Sequence, residues 1–286
     1  MIVGVSMVRN EEDLIEITLR HHLGQGVERL IVADNGSTDG TARVLARMAR
    51  ADRRIAWTKA GTGFNQSDVV TALARSAARN GATWILPFDA DEFWYAPGGL
   101  AGALRHCSSD AISVGIVNFV QRRGQVRLEP RAVLSALYRS DVNFGDYRRA
   151  RIGVEAGEFS YVEAPYQRKY ISRAVPDMII GPGNHIVRGV GPKRSRSRRF
   201  ACFHLPLRAK DIFVEKAWQS RRLEEAGLPF WHGWQSHRFA EALRKGRVDE
   251  EWAANSQLHG HLDAARGRVK LTFDPRLRDM LRNCLE

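Results

Sequence analysis

The sequence predicts an α/β fold: a mostly parallel, doubly wound sheet with helices on both faces, followed by an irregular helical C-terminal part. Three observations predict it. Short apolar runs alternate with amphipathic helical stretches from Ile2 to Phe88, the alternation that sets parallel strands between crossover helices. The runs are apolar at successive positions rather than at every second one, which suits strands covered on both faces. Three of the turns that follow carry polar clusters, Arg9-Asn10-Glu11, Asp34 to Thr41 and Asp89 to Glu92, and ligands of such sheets bind at the carboxyl ends of strands.

Taken in order, Ile2 to Val8 is the first strand. Glu11, Glu12 and Asp13 open a helical stretch carrying Leu14, Ile17 and Leu23, acids suiting the positive end of a helix. Leu30 to Ala33 is a second strand ending at Asp34. The turn-rich Asn35 to Thr41 leads into a helix with Val44, Leu45 and Met48 on one face. Ile55 to Trp57 is a third strand, and a helix from Ser67 to Arg79 carries Val69, Val70, Leu73 and Ala77. Trp84 to Phe88 then runs into Asp89. Further strands are expected at Ile112 to Asn118, Arg168 to Ile171 and Phe200 to Leu205. A helix from Ala209 to Ala226 stops at Gly227 with Pro229 beyond, and another is capped by Ser236 and closed by Gly246.

The chain has 286 residues, 44% hydrophobic and 27% charged, a composition that supports a sizeable core. Met1 to Val8 lacks a basic leader and is cut short by Arg9 to Glu12; no later segment reaches spanning length. A cytoplasmic location is therefore expected. Cys107, Cys202 and Cys284 form no Cys-x-x-Cys pair, which argues against a disulfide framework or structural zinc. The net charge of +12 attracts polyanions. Arginines spread over a solvated surface account for most of it, and no specific nucleic-acid partner is expected. Lys193, Arg194, Arg196, Arg198 and Arg199 concentrate the charge. They read as an exposed loop, a candidate contact for an anionic substrate, membrane or polymer.

Asp89-Ala90-Asp91 is the first candidate for chemistry. Residues two apart in extended or turning backbone project to the same side, so the two carboxylates can hold Mg2+ or Mn2+, and such a cation can bridge a diphosphate and take up charge on a leaving phosphate. In Asp34 to Thr41, two glycines allow close approach to a ligand and short polar side chains can cap the next helix. That capping does not explain Asp34 and Asn35, which could bond the edge of a nucleobase or a ribose.

Val8-Arg9-Asn10-Glu11-Glu12, then Asp34 to Thr41, then Asp89-Ala90-Asp91-Glu92-Phe93 resemble, in order and separation, the nucleotide-sugar half of the inverting family 2 glycosyltransferases with the GT-A (Rossmann-like) fold. The Asp-x-Asp-Glu-Phe form is closer to the family 92-like branch. The resemblance implies that Ser6, Val8, Arg9 and Asn10, with Asp34, Asn35 and Ser37, line a nucleoside pocket, and that Asp89 and Asp91 hold metal and ribose-diphosphate. Arg168-Lys169-Tyr170-Ile171, Gly183-Asn184-His185 and Phe203-His204-Leu205 resemble a lysine strand, a Gly-x-His segment and a His-bearing strand of that branch. In that branch the later His precedes Tyr, where this chain has Leu205. The match implies His204 as a further metal or diphosphate contact and Lys169 as a phosphate partner. It also implies a domain over 1–205, with 1–95 its donor half and 96–205 its acceptor half, and a helical extension over 206–286.

The implied reaction moves a hexose from a UDP- or GDP-sugar to a saccharide or other hydroxyl acceptor, with inversion and with Mn2+ or Mg2+. An inverting transfer needs a general base. Asp177, His185 and Glu92 are candidates, with Glu155, Glu158 and Glu163 also open. The Phe230-Trp231-His232-Gly233-Trp234 cluster is a candidate border of the acceptor site through ring stacking. Two other readings compete. A nucleotidyltransferase shares a related sheet but carries a Gly- and Arg-rich loop after its first strand, where this chain has Arg9-Asn10-Glu11-Glu12. A non-catalytic polyanion-binding protein would show salt-sensitive binding without metal dependence.

Overall fold

The computed structural model describes residues 1–61, 66–129, 131–141, 147–164, 166–225, 234–264 and 267–284. In chain order its elements are β1 (Ile2–Val8), α1 (Ile15–Gly24), β2 (Arg29–Asp34), α2 (Thr41–Ala51), β3 (Ile55–Lys59), α3 (Gln66–Arg79), β4 (Trp84–Pro87), β5 (Glu92–Tyr95), α4 (Gly99–Leu104), β6 (Ala111–Val114), β7 (Ile116–Val120), β8 (Tyr138–Arg139) and α5 (Tyr147–Glu155). There follow β9 (Lys169–Arg173), β10 (Ile179–Ile180), β11 (Val187–Arg188), β12 (Arg194–Arg196), β13 (Ala201–His204), α6 (Lys210–Glu225), α7 (Trp234–Arg244), α8 (Val248–Asn255), β14 (His261–Ala264), β15 (Gly267–Lys270), β16 (Thr272–Phe273) and α9 (Arg276–Arg282). Two compact units divide the chain. Met1–Ile116, Gln167–His204 and Asn283–Glu286 form the first, and Val117–Tyr166 with Leu205–Arg282 the second.

The first unit holds a seven-stranded sheet in the order β12-β6-β9-β4-β1-β2-β3. β1 runs parallel to β2 and β4, β2 to β3, and β12 to β6. β1 is buried along nearly its whole length because both sheet faces are covered. On one face Val8 joins Ile15 and Leu19 of α1 and Leu45 and Met48 of α2; on the other Val3 and Val5 join Val70, Ala74 and Ala77 of α3. This is the expected doubly wound α/β arrangement. Gly4 permits the close approach, since a Cβ there would lie 2.6 Å from Leu30 Cδ2. β9 alone runs antiparallel to its neighbours β4 and β6. Its first residue, Lys169, therefore lies at the end of β4 that leads to Asp89.

The second unit gathers Val120, Val154, Tyr161, Phe213, Phe239, Trp252 and Leu262 into a separate core. β8 pairs antiparallel with β7 and β16, and β14 with β15. Arg238 of α7 bonds Glu251 of α8 and the Val154 carbonyl of α5, holding three helices together by one guanidinium.

Four expectations are corrected. The run Ile112 to Asn118 is two strands, broken at Gly115. α1 begins at Ile15 rather than at the acids Glu11 to Asp13, because the Glu11 and Glu12 main chain and the Glu12 carboxylate are used by a neighbouring loop. Ser236 lies inside α7, which starts at Trp234. The basic run 193–199 contains a strand, β12. Gly227, Pro229 and the cluster from Phe230 to Gly233 lie outside the described residues. Among the described residues no helix is long and apolar enough to cross a membrane.

Candidate active site

The loops that follow β1 and β2 are stitched to each other. Asn10 takes a left-handed backbone, φ 56°, which asparagine tolerates better than most residues. Its N–H donates to Ser37 Oγ at 2.9 Å, and its Oδ1 accepts the Thr38 N–H at 2.9 Å. Glu11 N–H donates to Thr41 Oγ1 at 2.8 Å, and Gly40 N–H to Glu12 Oε2 at 2.5 Å. Asp34 Oδ1 accepts the Ser37 hydroxyl at 2.5 Å and its N–H at 3.2 Å, an Asx turn that ends β2. Asn35 N–H donates to the Val8 carbonyl at 2.8 Å. Arg9 is exposed and Asn10 half-buried, whereas Ser6, Val8, Asp34 and Asn35 are buried. The Ser6 hydroxyl has no hydrogen-bond partner among the described residues.

Asp89, Ala90 and Asp91 form a tight turn between β4 and β5, closed by Glu92 N–H donating to the Asp89 carbonyl at 3.1 Å. The two carboxylates engage different partners. Asp89 Oδ1 accepts from Gln66 Nε2 and Asn184 Nδ2, each at 3.0 Å, and its Oδ2 accepts from Lys169 Nζ at 2.7 Å. Asp91 Oδ2 lies 3.6 Å from His204 Nε2. His204 sits opposite Glu92 because β13 pairs antiparallel with β5.

Lys169 is the hub. It is 3% exposed and its Nζ lies 2.7 Å from both Asp89 and Glu92, while also donating to the Gly183 carbonyl at 2.6 Å. Burial opposes the ammonium charge, but the two carboxylates outweigh it and hold its pKa above the ordinary lysine value. Glu92 is 1% exposed. Burial pushes its carboxyl up to about 8 against the pull of Lys169, with Asp89 and Asp91 adding to the rise. His185 is pushed down to about 4 by burial and then by Lys169. A carbonyl only accepts, so the contact of His185 Nδ1 with the Arg168 carbonyl at 3.3 Å puts the proton on Nδ1 and leaves Nε2 with a lone pair. Asp177 is exposed, and its main-chain carbonyl accepts from Arg75 of α3 at 3.4 Å. In the second unit Glu163 Oε2 accepts the Ser160 N–H at 2.9 Å, and Glu155 pairs with Arg151.

Sequence reasoning missed the support behind this turn. Thr18, His21 and His22 lie on one face of α1 and are all buried. Thr18 Oγ1 donates to the Ala90 carbonyl at 2.5 Å, and His21 Nε2 donates to the Trp94 carbonyl at 2.8 Å. His22 Nδ1 donates to the Thr18 carbonyl at 2.9 Å, which leaves its Nε2 to accept the Trp94 N–H at 3.5 Å. His22, donor on one nitrogen and acceptor on the other, is thus neutral, and burial lowers both pKa values, that of His21 to about 4. The spacing 18, 21, 22 is a helical face, a signal that was present but reads equally as a polar stripe. Gln66, the first residue of α3, carried no signal.

The family model for glycosyl transferase family 2 matches residues 5–173, a span that takes in both stitched loops, the Asp89 turn and Lys169. The chain belongs to glycosyl transferase family 2. It is a glycosyltransferase, and its mostly parallel sheet is the GT-A class. Three solved structures are similar to this family 2 chain. Staphylococcus aureus TarS 1-349 is 12% identical, covered over 89% of this chain and 71% of that one, with a TM-score of 0.39. The mannosyltransferase PcManGT from Pyrobaculum calidifontis, in complex with GDP-Man and Mn2+, is 17% identical over 89% and 73%, with a TM-score of 0.35. Glucosyl-3-phosphoglycerate synthase from Mycobacterium tuberculosis is 19% identical over 61% and 57%, with a TM-score of 0.33. No curated protein matches the sequence.

Proposed function

We propose that this glycosyltransferase moves a hexose from a UDP- or GDP-sugar to a saccharide or other hydroxyl acceptor, with inversion and with a divalent cation, and that its Asp-x-Asp-Glu-Phe turn places it with the family 92-like branch. The reading rests on one observation: Asp91 and His204 meet beside a buried lysine at the carboxyl end of β4. Their side chains are 13% and 8% exposed. Among the described residues no group of three or more His, Cys, Asp or Glu is gathered for a metal. Two protein ligands still fit Mg2+ or Mn2+, which are commonly held by one or two side chains with phosphate oxygens and water. Asp91 and His204 would hold the cation, which when bound supplies charge stabilisation to the departing diphosphate.

The other residues act through their own bonds. Asp89, held by Gln66, Asn184 and Lys169, fixes the lysine where its charge faces the phosphates. Asn184 Oδ1 is buried without a hydrogen-bond partner among the described residues, an acceptor open to a sugar or ribose hydroxyl. Arg9, Asn10, Asp34, Asn35 and Ser37 form the nucleoside end of a donor half at 1–95. Of the base candidates, Glu92 is locked to Lys169 and Asp177 is exposed beyond α3, so His185, with its open Nε2, is the one we assign.

The test is release of nucleoside diphosphate from UDP- and GDP-sugars with and without Mn2+. Asp91→Asn lowers the metal-dependent rate about a hundredfold or more, the scale of several kcal/mol of lost charge stabilisation. An unchanged rate in the folded variant overturns the reading.

A further inference from the structure

Residues 178–199 contain six cations, Arg188, Lys193, Arg194, Arg196, Arg198 and Arg199, and no acid. All six are exposed, and none forms an ion pair with a carboxylate among the described residues. Asp110 Oδ2 accepts the Lys193 N–H at 3.0 Å, and against that carboxylate the six cations leave a net positive charge. Arg168 registers it: its pKa is lowered by burial and then by the charge of Arg196.

An aliphatic pair adjoins the charge. In the β10–β11 pair, Ile179 lies across from Arg188 and Ile180 across from Val187. Alternation along a strand sends Ile180 and Val187 into the core beneath α3. The opposite face carries Ile179 and Ile186, 44% and 40% exposed, together with Arg188. β12 closes the sheet and, among the described residues, pairs with β6 alone. Arg194 and Arg196, two apart, project from it on one side, and Arg194 Nη2 donates to the Val187 carbonyl at 3.1 Å. That bond ties the cationic strand to the isoleucine-bearing hairpin.

We propose that this surface docks the protein on an anionic lipid bilayer. Exposed arginines and lysines are attracted to anionic headgroups, and aliphatic side chains among them enter the boundary between headgroups and acyl chains. A nucleic acid would neutralise the same cations but rewards phosphate contacts, not two isoleucines. The aliphatic pair is what selects lipid. The inference stands apart from the donor chemistry, so an inactive protein can still dock and an active one can fail to.

The experiment is sedimentation of the full chain with phosphatidylcholine vesicles and with mixed phosphatidylcholine–phosphatidylglycerol vesicles, at low and high salt, beside a single-stranded DNA binding assay. The chain is expected to sediment with the mixed vesicles only, less at high salt. At about fivefold in partition per basic side chain, Arg194→Ala with Arg196→Ala weakens binding about 25-fold. Arg198→Ala with Arg199→Ala, outside the strand, does the same if the first pair disturbs β12. Ile179→Ser with Ile186→Ser also weakens vesicle binding. The proposal is overturned if no vesicle binds, if neutral vesicles bind equally, or if the isoleucine pair is immaterial while DNA binding depends on the arginines.

Discussion

An ammonium group with 3% of its side chain exposed cannot stand alone, because moving a charge out of water costs far more than a neutral group unless it is paired and hydrogen-bonded. Lys169 has three acceptors, from Asp89, Glu92 and Gly183, and in return it makes the buried Glu92 carboxyl tolerable and anchors the half-buried Asp89. Removing it strands them. Lys169→Met is expected to cost about 3–5 kcal/mol, read from the shift in urea midpoint. Adding Glu92→Gln should recover part of that loss, since an amide needs no counter-charge; no recovery would mean that the two groups do not act as a pair. The acids of this cluster were legible in the sequence because they sit together after an apolar run, whereas Lys169 was singled out only by the resemblance of residues 168–171 to a lysine strand, as a phosphate partner. Gln66 and Asn184 were not legible as partners of Asp89. Neutral amides far along the chain acquire a role only when the fold closes.

Helix α1 shows what an element contributes beyond its apolar face. Its hydroxyl and two imidazoles bond the main chain at Ala90 and Trp94, on either side of Asp91 and Glu92. Thr18→Val keeps the shape and removes the donor, leaving a buried carbonyl unsatisfied at about 1–3 kcal/mol. The expected result is a lower melting temperature together with weaker metal-dependent donor turnover, and Thr18→Ser restores both. A variant that melts early but turns over donor normally would make the contact structural alone. The apolar strands and helices around the sheet could be read from period and length, as Leu30 to Ala33 and Val69 to Ala77 were. Boundaries failed where side chains served another element: Glu11 and Glu12 look like a helix start, yet they bind the loop before α2. Gly115 ends a strand that hydropathy alone runs through.

Across the whole molecule, pH acts chiefly through histidines buried as neutral rings. The unfolded chain takes up protons near the ordinary histidine value of about 6.5, whereas folded His21 and His185 do so only near 4. The unfolded state therefore binds more protons between these values, and stability falls as pH drops through that window. The histidine contribution is fully present above pH 6.5, while Glu92, raised to about 8, works the other way, holding in the fold a proton that the unfolded carboxyl gives up and losing that contribution as pH rises through 8. His21 alone accounts for about 3 kcal/mol by pH 4. Thermal melts against pH should slope across this window, and His21→Gln, which keeps a donor near Trp94, should flatten the slope; an unchanged slope would clear His21 of the effect. The net charge of +12 and its concentration at 193–199 were visible at once; the structure adds that the run contains an edge strand of the sheet.

Trp94 has a further bearing on the fate of the chain. β5 meets β13 along one side, and on its other side the Trp94 amide and carbonyl end on rings instead of a neighbouring strand. A backbone margin sealed in this way offers no template to a stray chain. The His21 bond survives protonation because its Nε2 donates in either state, but a proton on His22 Nε2 removes the acceptor of the Trp94 N–H, so acid that charges His22 also frees one amide of this rim, and clumping should accompany melting rather than follow it.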